Sequence, residues 1–142
     1  MRHVVAFVLI LLFAGCAALP RSGVPRAAPS APVSDKPVVI TLADAAHTEA
    51  EAGRLDEAAA ALERALRIEP RNATLWQRLA SVRLAQGETA QAIQLAQKSL
   101  SLAGDNRALR AADWRVIGEA HTQRGEDERA RLAFAKAAEF GR

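Results

Sequence analysis

Apolar and polar positions divide this chain into three stretches of different character. Val4 to Phe13 is an unbroken apolar run preceded by Arg2. It is about ten residues long, too short to cross a bilayer as a helix. Residues 17–38 show no periodicity and hold five of the six prolines, with alanine, serine and glycine between them. From residue 39 onward apolar side chains return every three to four residues, the spacing of one face of a helix. The pattern therefore predicts an all-α domain over 39–142 behind a short leader and a linker.

The helical part repeats itself. Gly53, Gly87 and Gly125 each end a helix-length stretch, and each is followed five residues later by an alanine: Ala58, Ala92 and Ala130. Seven residues further stand Ala65, Ser99 and Ala137. Self-similarity at this period marks stacked helical hairpins. Glycine suits the turn because a left-handed backbone costs it little. Two helices approach closely where side chains are small, which predicts packing of Ala46, Ala80 and Gly118 on the first helices against Ala58, Ala92 and Ala130 on the second. Leu42, Trp76, Trp114, Leu62 and Phe134 are expected to fill the space between hairpins. One hairpin cannot bury its own apolar face, so about three are needed for stability.

The third copy carries Trp114, Ile117, Gly118 and His121, then Ala130 and Phe134; the second carries Trp76, Leu79, Ala80 and Arg83, then Ala92 and Ala96; the first carries Leu42, Ala45, Ala46 and Glu49, then Ala58, Leu62 and Pro70. Residues 39–142 thereby resemble three tetratricopeptide repeats, at about 39–72, 73–106 and 111–142. The resemblance implies a short α-solenoid with a right-handed superhelical course. The second copy departs from the pattern at Ala96, where a large aromatic is expected, and at Gly104, where proline is expected, so its second helix should be packed less tightly. Four added residues near Arg107 to Arg110 form either a longer loop or an extra helical turn, for which Asn106 is a suitable N-cap. No polar capping helix follows the third copy, which leaves an apolar face around Leu132, Ala133 and Phe140 for a partner or a second copy.

The amino terminus resembles a bacterial lipoprotein signal. Leu12-Phe13-Ala14-Gly15-Cys16 matches the box in which small residues precede a lipidated cysteine, with phenylalanine where leucine is usual. The resemblance implies a signal peptide over residues 1–15, cleaved before Cys16. It also implies a diacylglyceryl thioether on Cys16 and an acyl chain, palmitate in kind, on the new amino group. Cys16 is the only cysteine, so it forms no internal disulfide. More than one acyl chain gives stable anchoring. Ordinary secretion with cleavage near Ala18 is the plainer reading. Ala17 follows the cysteine where aspartate would stand in an inner-membrane protein, which implies an outer-membrane lipoprotein facing the periplasm. Residues 16–38 would then be a disordered, semi-rigid tether, reaching roughly 70 Å at about 3.1 Å per residue if fully extended.

The formal net charge of +3 does not belong to the repeats. Residues 39–142 hold 15 basic and 15 acidic side chains. A neutral array lacking a basic stripe with interleaved aromatics has no footprint for nucleic acid. His3, His47 and His121 form no ligand spacing with one another or with Cys16, and no glycine loop cradles a phosphate. Glu126, Asp127 and Glu128, like Asp56 and Glu57, read as acidic helix starts that suit the macrodipole. No catalytic residue, metal site or cofactor beyond the lipid on Cys16 is expected.

In the resembled family the first helices line a concave groove. Position within the repeat puts Ala43, His47, Ala50, Gln77, Arg78, Ser81, Arg115, Glu119 and Thr122 there. The family's carboxylate clamp falls on Ala43, His47, Arg78, Ala112 and Val116, of which one is an arginine or lysine, so capture of a terminal carboxylate is not expected. The expected function is a lipid-anchored adaptor that docks another envelope protein in pilus or secretion assembly, outer-membrane assembly or cell-wall synthesis. The alternative is a structural lipoprotein that self-associates through its last hairpin.

Overall fold

Three glycines set the fold by turning the chain at the same point of each repeat. Gly53, Gly87 and Gly125 have φ of +76°, +80° and +70°. The N–H after each glycine bonds back to the carbonyl five residues earlier: Arg54 to Glu49, Glu88 to Arg83 and Glu126 to His121, each at 2.9 Å. This is the Schellman closure of a helix C-terminus. A cross-turn ion pair repeats the same connection in side chains: Glu49 with Arg54, Arg83 with Glu88 at 3.5 Å, and His121 with Glu126 at 2.7 Å. The polarity reverses between the first repeat and the second, but the position does not move.

The computed structural model describes residues 33–142. The leader, Cys16 and the linker up to residue 32 lie outside the described residues. Six helices follow in order: α1 Pro37–Glu51, α2 Leu55–Ile68, α3 Ala73–Ala85, α4 Thr89–Leu102, α5 Arg107–Gln123 and α6 Asp127–Phe140. They form three hairpins, α1–α2, α3–α4 and α5–α6, and the second helix of each packs on the first helix of the next. No strand occurs among the described residues.

Packing follows the small-residue pattern. Ala46, Ala58, Ala80, Ala92, Gly118 and Ala130 are all buried. A Cβ on Gly118 would come within 2.7–2.9 Å of three ring atoms of Phe134. The ring therefore lies on the α5 backbone, inside its own hairpin, and is not buried between two hairpins. One apolar cluster joins α1, α2 and α3 through Val39, Leu62, Leu66, Leu75 and Leu79. A second joins α3 to α6 through Ala80, Leu84, Ala92, Ala96, Ile117 and Ala133. Ala96 is wholly buried, so the small side chain draws its neighbours in and α4 shows no exposed gap there.

The four added residues are helical. Asn106 accepts from Leu109 N at 3.0 Å, and α5 runs for 17 residues against 13 in α3. This turn has a consequence for the tryptophans. Trp76 Nε1 donates to Pro70 O at 2.9 Å, but buried Trp114 Nε1 has no partner. Trp114 stands one turn further from its preceding loop than Trp76 does, and the equivalent carbonyl is out of reach.

Two expectations need correction. Residues 33–38 do not belong with the linker. Val33 packs on the first cluster, its carbonyl accepts from Asn72 Nδ2 at 2.7 Å, and Ser34 Oγ donates to Glu69 at 2.8 Å. Lys36 Nζ lies 3.5 Å from the same carboxylate, and Pro37 opens α1, where its missing N–H costs nothing. The hydrogen bonds from Asn72 and Ser34 hold Glu69 below the usual carboxylate range. The apolar end face is also drawn differently. Ala133 is buried in the core, and Phe140 is half-covered by the guanidinium of Arg110, 4.7 Å from its ring centre. Leu132 and Phe134 are the exposed apolar residues of α6.

Asn72 caps α3, accepting from Leu75 N at 3.2 Å, while also holding Val33 and Glu69. Asn106 does the capping alone. Asn106→Ala is expected to cost about 1 kcal/mol, and Asn72→Ala roughly 2–3 kcal/mol because two further hydrogen bonds are lost. Thermal melts followed by circular dichroism check this; equal losses would show that residues 33–36 contribute nothing.

Candidate functional site

The cleft with the most distinctive lining lies between α1 and α3. The reason is geometric. α3 packs directly on α5, but α1 and α3 do not come together to that extent. The gap they leave has a volume of about 310 Å³. Leu62 from α2 and Val82 form its apolar base. Ala43, Ala46 and Ala50 make the α1 wall low, which is why the gap is open and not filled. Longer polar side chains rise from the α3 side: Gln77, Arg78 and Ser81. Gln77 Nε2 donates to Ser81 Oγ at 3.1 Å, which fixes the amide along the wall. His47 stands at the α1 rim with Glu51 at 3.3 Å, and Asp44 beside it. Arg78 is half-buried and enters no ion pair among the described residues.

Six of the nine expected groove residues thus meet in one cleft: Ala43, His47, Ala50, Gln77, Arg78 and Ser81. Arg115, Glu119 and Thr122 do not line it. They are exposed on α5, one repeat further on, where direct α3–α5 packing leaves no matching gap. The Thr122 hydroxyl is committed to Gly118 O at 3.0 Å. Val116, a clamp position in the resembled family, is buried in the second cluster.

The chemistry available is that of recognition. An apolar base with one unpaired guanidinium, an amide and a hydroxyl suits a segment that brings an apolar side chain and hydrogen-bond acceptors. No group of three potential metal ligands occurs among the described residues. The His121 side chain is largely covered, and its Nδ1 lies 2.7 Å from Glu126. Glu126 lies before α6 and makes no capping bond, so it acts as a cross-turn anchor and not as an acidic first turn. The His121 hydrogen bond, with Arg124 and Arg129 close by, holds its carboxyl below the ordinary range.

With this geometry in hand, comparison identifies the class. The tetratricopeptide repeat family model matches residues 49–113. The globular C-terminal domain of P. aeruginosa LpoP is 42% identical, with a TM-score of 0.72, over 74% of this chain and 99% of that domain. The chain belongs to the tetratricopeptide repeat family. The N-terminal domain of stress-induced protein-1 (STI-1) from C. elegans is similar in fold alone, at 18% identity and TM-score 0.66 over 78% of this chain and 88% of that one. No curated protein matches the chain.

Asp113 escaped the sequence reading. It occupies on α5 the place held by Leu75 on α3, and a carboxylate at an apolar repeat position was the available signal. It is 0% exposed, and neither carboxylate oxygen has a hydrogen-bond partner. The neighbouring Ser99 hydroxyl donates to Ala73 O at 3.0 Å. Burial pushes the Asp113 carboxyl up to about 7, against weaker downward pulls from the neighbouring Ser99 hydroxyl and then from Arg110.

The folded protein then holds this proton more tightly than the unfolded chain. Stability therefore falls as pH rises from the ordinary aspartate value of 3.8 to about 7, and this contribution is flat above. Asp113→Asn keeps the shape without the charge. It is expected to raise stability at pH 8 by roughly 2–4 kcal/mol and to leave it little changed at acid pH. Urea unfolding at pH 4 and pH 8 measures this; parallel losses in both proteins between the two values would overturn it.

Proposed function

We propose that this protein is a lipid-anchored adaptor of the bacterial envelope whose α1–α3 cleft docks a segment of another envelope protein. The observation that carries the reading is the open, apolar-based cleft with an unpaired Arg78 at its wall. A cleft shaped by the backbone before any ligand arrives binds without the cost of ordering it.

The anchor completes the reading. Cys16 would carry diacylglycerol and an N-acyl chain in the outer membrane, with the repeats facing the periplasm. The Pro-rich segment up to residue 32 would be the tether. The relative from P. aeruginosa supports this layout, because its matching domain is likewise the globular C-terminal part of a longer protein. Assembly of pili or secretion machinery, outer-membrane assembly and cell-wall synthesis are the processes such an adaptor serves. Its contribution is positional, with no catalysis and no cofactor besides the lipid.

Crosslinking in living cells of the native host, followed by affinity capture and mass spectrometry, tests the proposal. One envelope protein is expected with the wild type and is lost with Cys16→Ser. Arg78→Glu should lower its recovery about tenfold without shifting the melting temperature. Arg115→Glu, outside the cleft, should leave recovery unchanged. Equal recovery with Arg78→Glu would remove the cleft as the docking site, and undiminished recovery with Cys16→Ser would remove the anchor from the mechanism.

A further inference from the structure

The first hairpin shows what the last one lacks. Ala59, Leu62 and Leu66 on α2 are buried, and α3 packs against that helix. Two repeats on, the same positions hold Arg131, Phe134 and Ala138 on α6, and all three are exposed. Phe134 is 38% exposed where Leu62 is sealed, and neighbouring Leu132 is 62% exposed. This is the face of α6 that corresponds to the stacking face of α2, and it is uncovered among the described residues.

The outer face of α1 is a poor cover for it. There the chain has exposed Thr41, Ala45 and Thr48 at the positions where α3 brings Leu75, Leu79 and Val82 into the core. Head-to-tail stacking of two copies would therefore set small and polar groups against Phe134.

The charges on α6 point elsewhere. Arg131 lies four residues before Ala135 and Glu139 four after it; Glu128 lies seven before and Arg142 seven after. Steps of four and seven keep Glu128, Arg131, Ala135 and Glu139 on one helix face, and Arg142 follows just beyond the end of α6. Most other cations of this hairpin are engaged: Arg124 and Arg129 with Glu126, Lys136 over the Trp114 ring, Arg110 over Phe140, and Arg107 with Glu139 O; Arg115 lies on α5. The side chains of Glu128, Arg131, Glu139 and Arg142 enter no ion pair among the described residues. The pattern is self-complementary under reversal of the helix direction.

We infer that α6 is a homodimerisation helix that packs antiparallel on α6 of a second copy about a two-fold axis at Ala135. Arg131 then faces Glu139 of the other copy. Ala135 and Ala138 permit close approach of the axes. Leu132 and Phe134 close over the two flanks of the contact, which removes the exposed apolar surface of the hairpin from water. The interface is isologous, so it closes at two copies and does not polymerise. It uses none of the cleft residues, and the adaptor reading and the dimer stand or fall separately.

Site-directed crosslinking of the full chain in the native host tests this. A residue on a two-fold axis meets its own counterpart, so Ala135→Cys should give a homodimer band with a short bis-maleimide. The wild type, and Ala60→Cys on the exposed side of α2, serve as references. Arg131→Glu in the Ala135→Cys background should reduce the band about tenfold. Adding Glu139→Arg, which swaps the pair, should restore most of it. Both charge changes are at exposed positions, and circular dichroism should show unaltered helicity. A band no stronger than that of Ala60→Cys, a crosslink to a different protein in place of the dimer, or failure of the swap to restore the band would each overturn the inference.

Discussion

Everything in this chain depends on how closely two helix backbones approach within a hairpin. That distance is set where Ala46 and Ala58, Ala80 and Ala92, and Gly118 and Ala130 are buried in each hairpin. A larger side chain at any of these places would hold the helices apart and open the space that Leu62 and Leu75 fill between hairpins. The third hairpin carries the tightest version. There the ring of Phe134 rests on Gly118, so a residue that would otherwise reach a next repeat closes its own hairpin with one side of the ring. Its other side remains exposed.

The same constraint places the cleft. Close helix pairs stack as units, and the first helices of neighbouring units then either touch or stand apart. α3 and α5 touch; α1 and α3 stand apart, with three alanines on the α1 wall between them. Recognition chemistry gathers where the gap is, on Gln77, Arg78 and Ser81, and does not continue onto Arg115 and Glu119. A groove inferred from repeat position assumes equal spacing of the first helices. The added turn before α5 is where the sequence departs from equal repeats, and the side of the array carrying that turn is the side without the cleft.

Much of this was legible in the residues, and the reasons for the exceptions are physical. The glycine turns, the small buried positions and the Asn106 cap are local features, written where they act. Residues 33–36 were misread because a proline-rich composition says nothing of a partner far along the chain, and Asn72 and Glu69 supply one. The exposure of Ala133 and Phe140 was misjudged because helix periodicity gives a face but not its neighbours. Ala133 turns into the core, and Arg110 lies over Phe140. The cross-turn pairs Glu49–Arg54, Arg83–Glu88 and His121–Glu126 stood in the sequence throughout, five residues apart in each repeat. The repeat pattern assigns the earlier position to an aromatic, and the pair's polarity reverses between copies, so position alone does not reveal the contact.

Asp113 ties these strands together. In a linear array each junction contributes its own interface energy. The α2–α3 junction is apolar, with Leu62, Leu66, Leu75 and Leu79 in one cluster. The next junction places Ser99 and an unpaired Asp113 where carbon would pack better, and leaves Trp114 Nε1 unbonded beside them in sequence. Burial of an unpaired carboxylate is costly, and protonation relieves that cost. That carboxylate is a local cost within the junction between the second and third repeats. Carbon still seats the last hairpin on the second, through Ala80, Leu84, Ala92 and Ala96 against Ile117 and Ala133, while Arg107 and Arg110 bracket Phe140 and tie α5 to α6 within the hairpin. The outer side of that hairpin gains from cover, because its exposed carbon would leave water. The exposed α6 face, with Phe134 and Leu132 and its self-complementary charges, is where such cover would act.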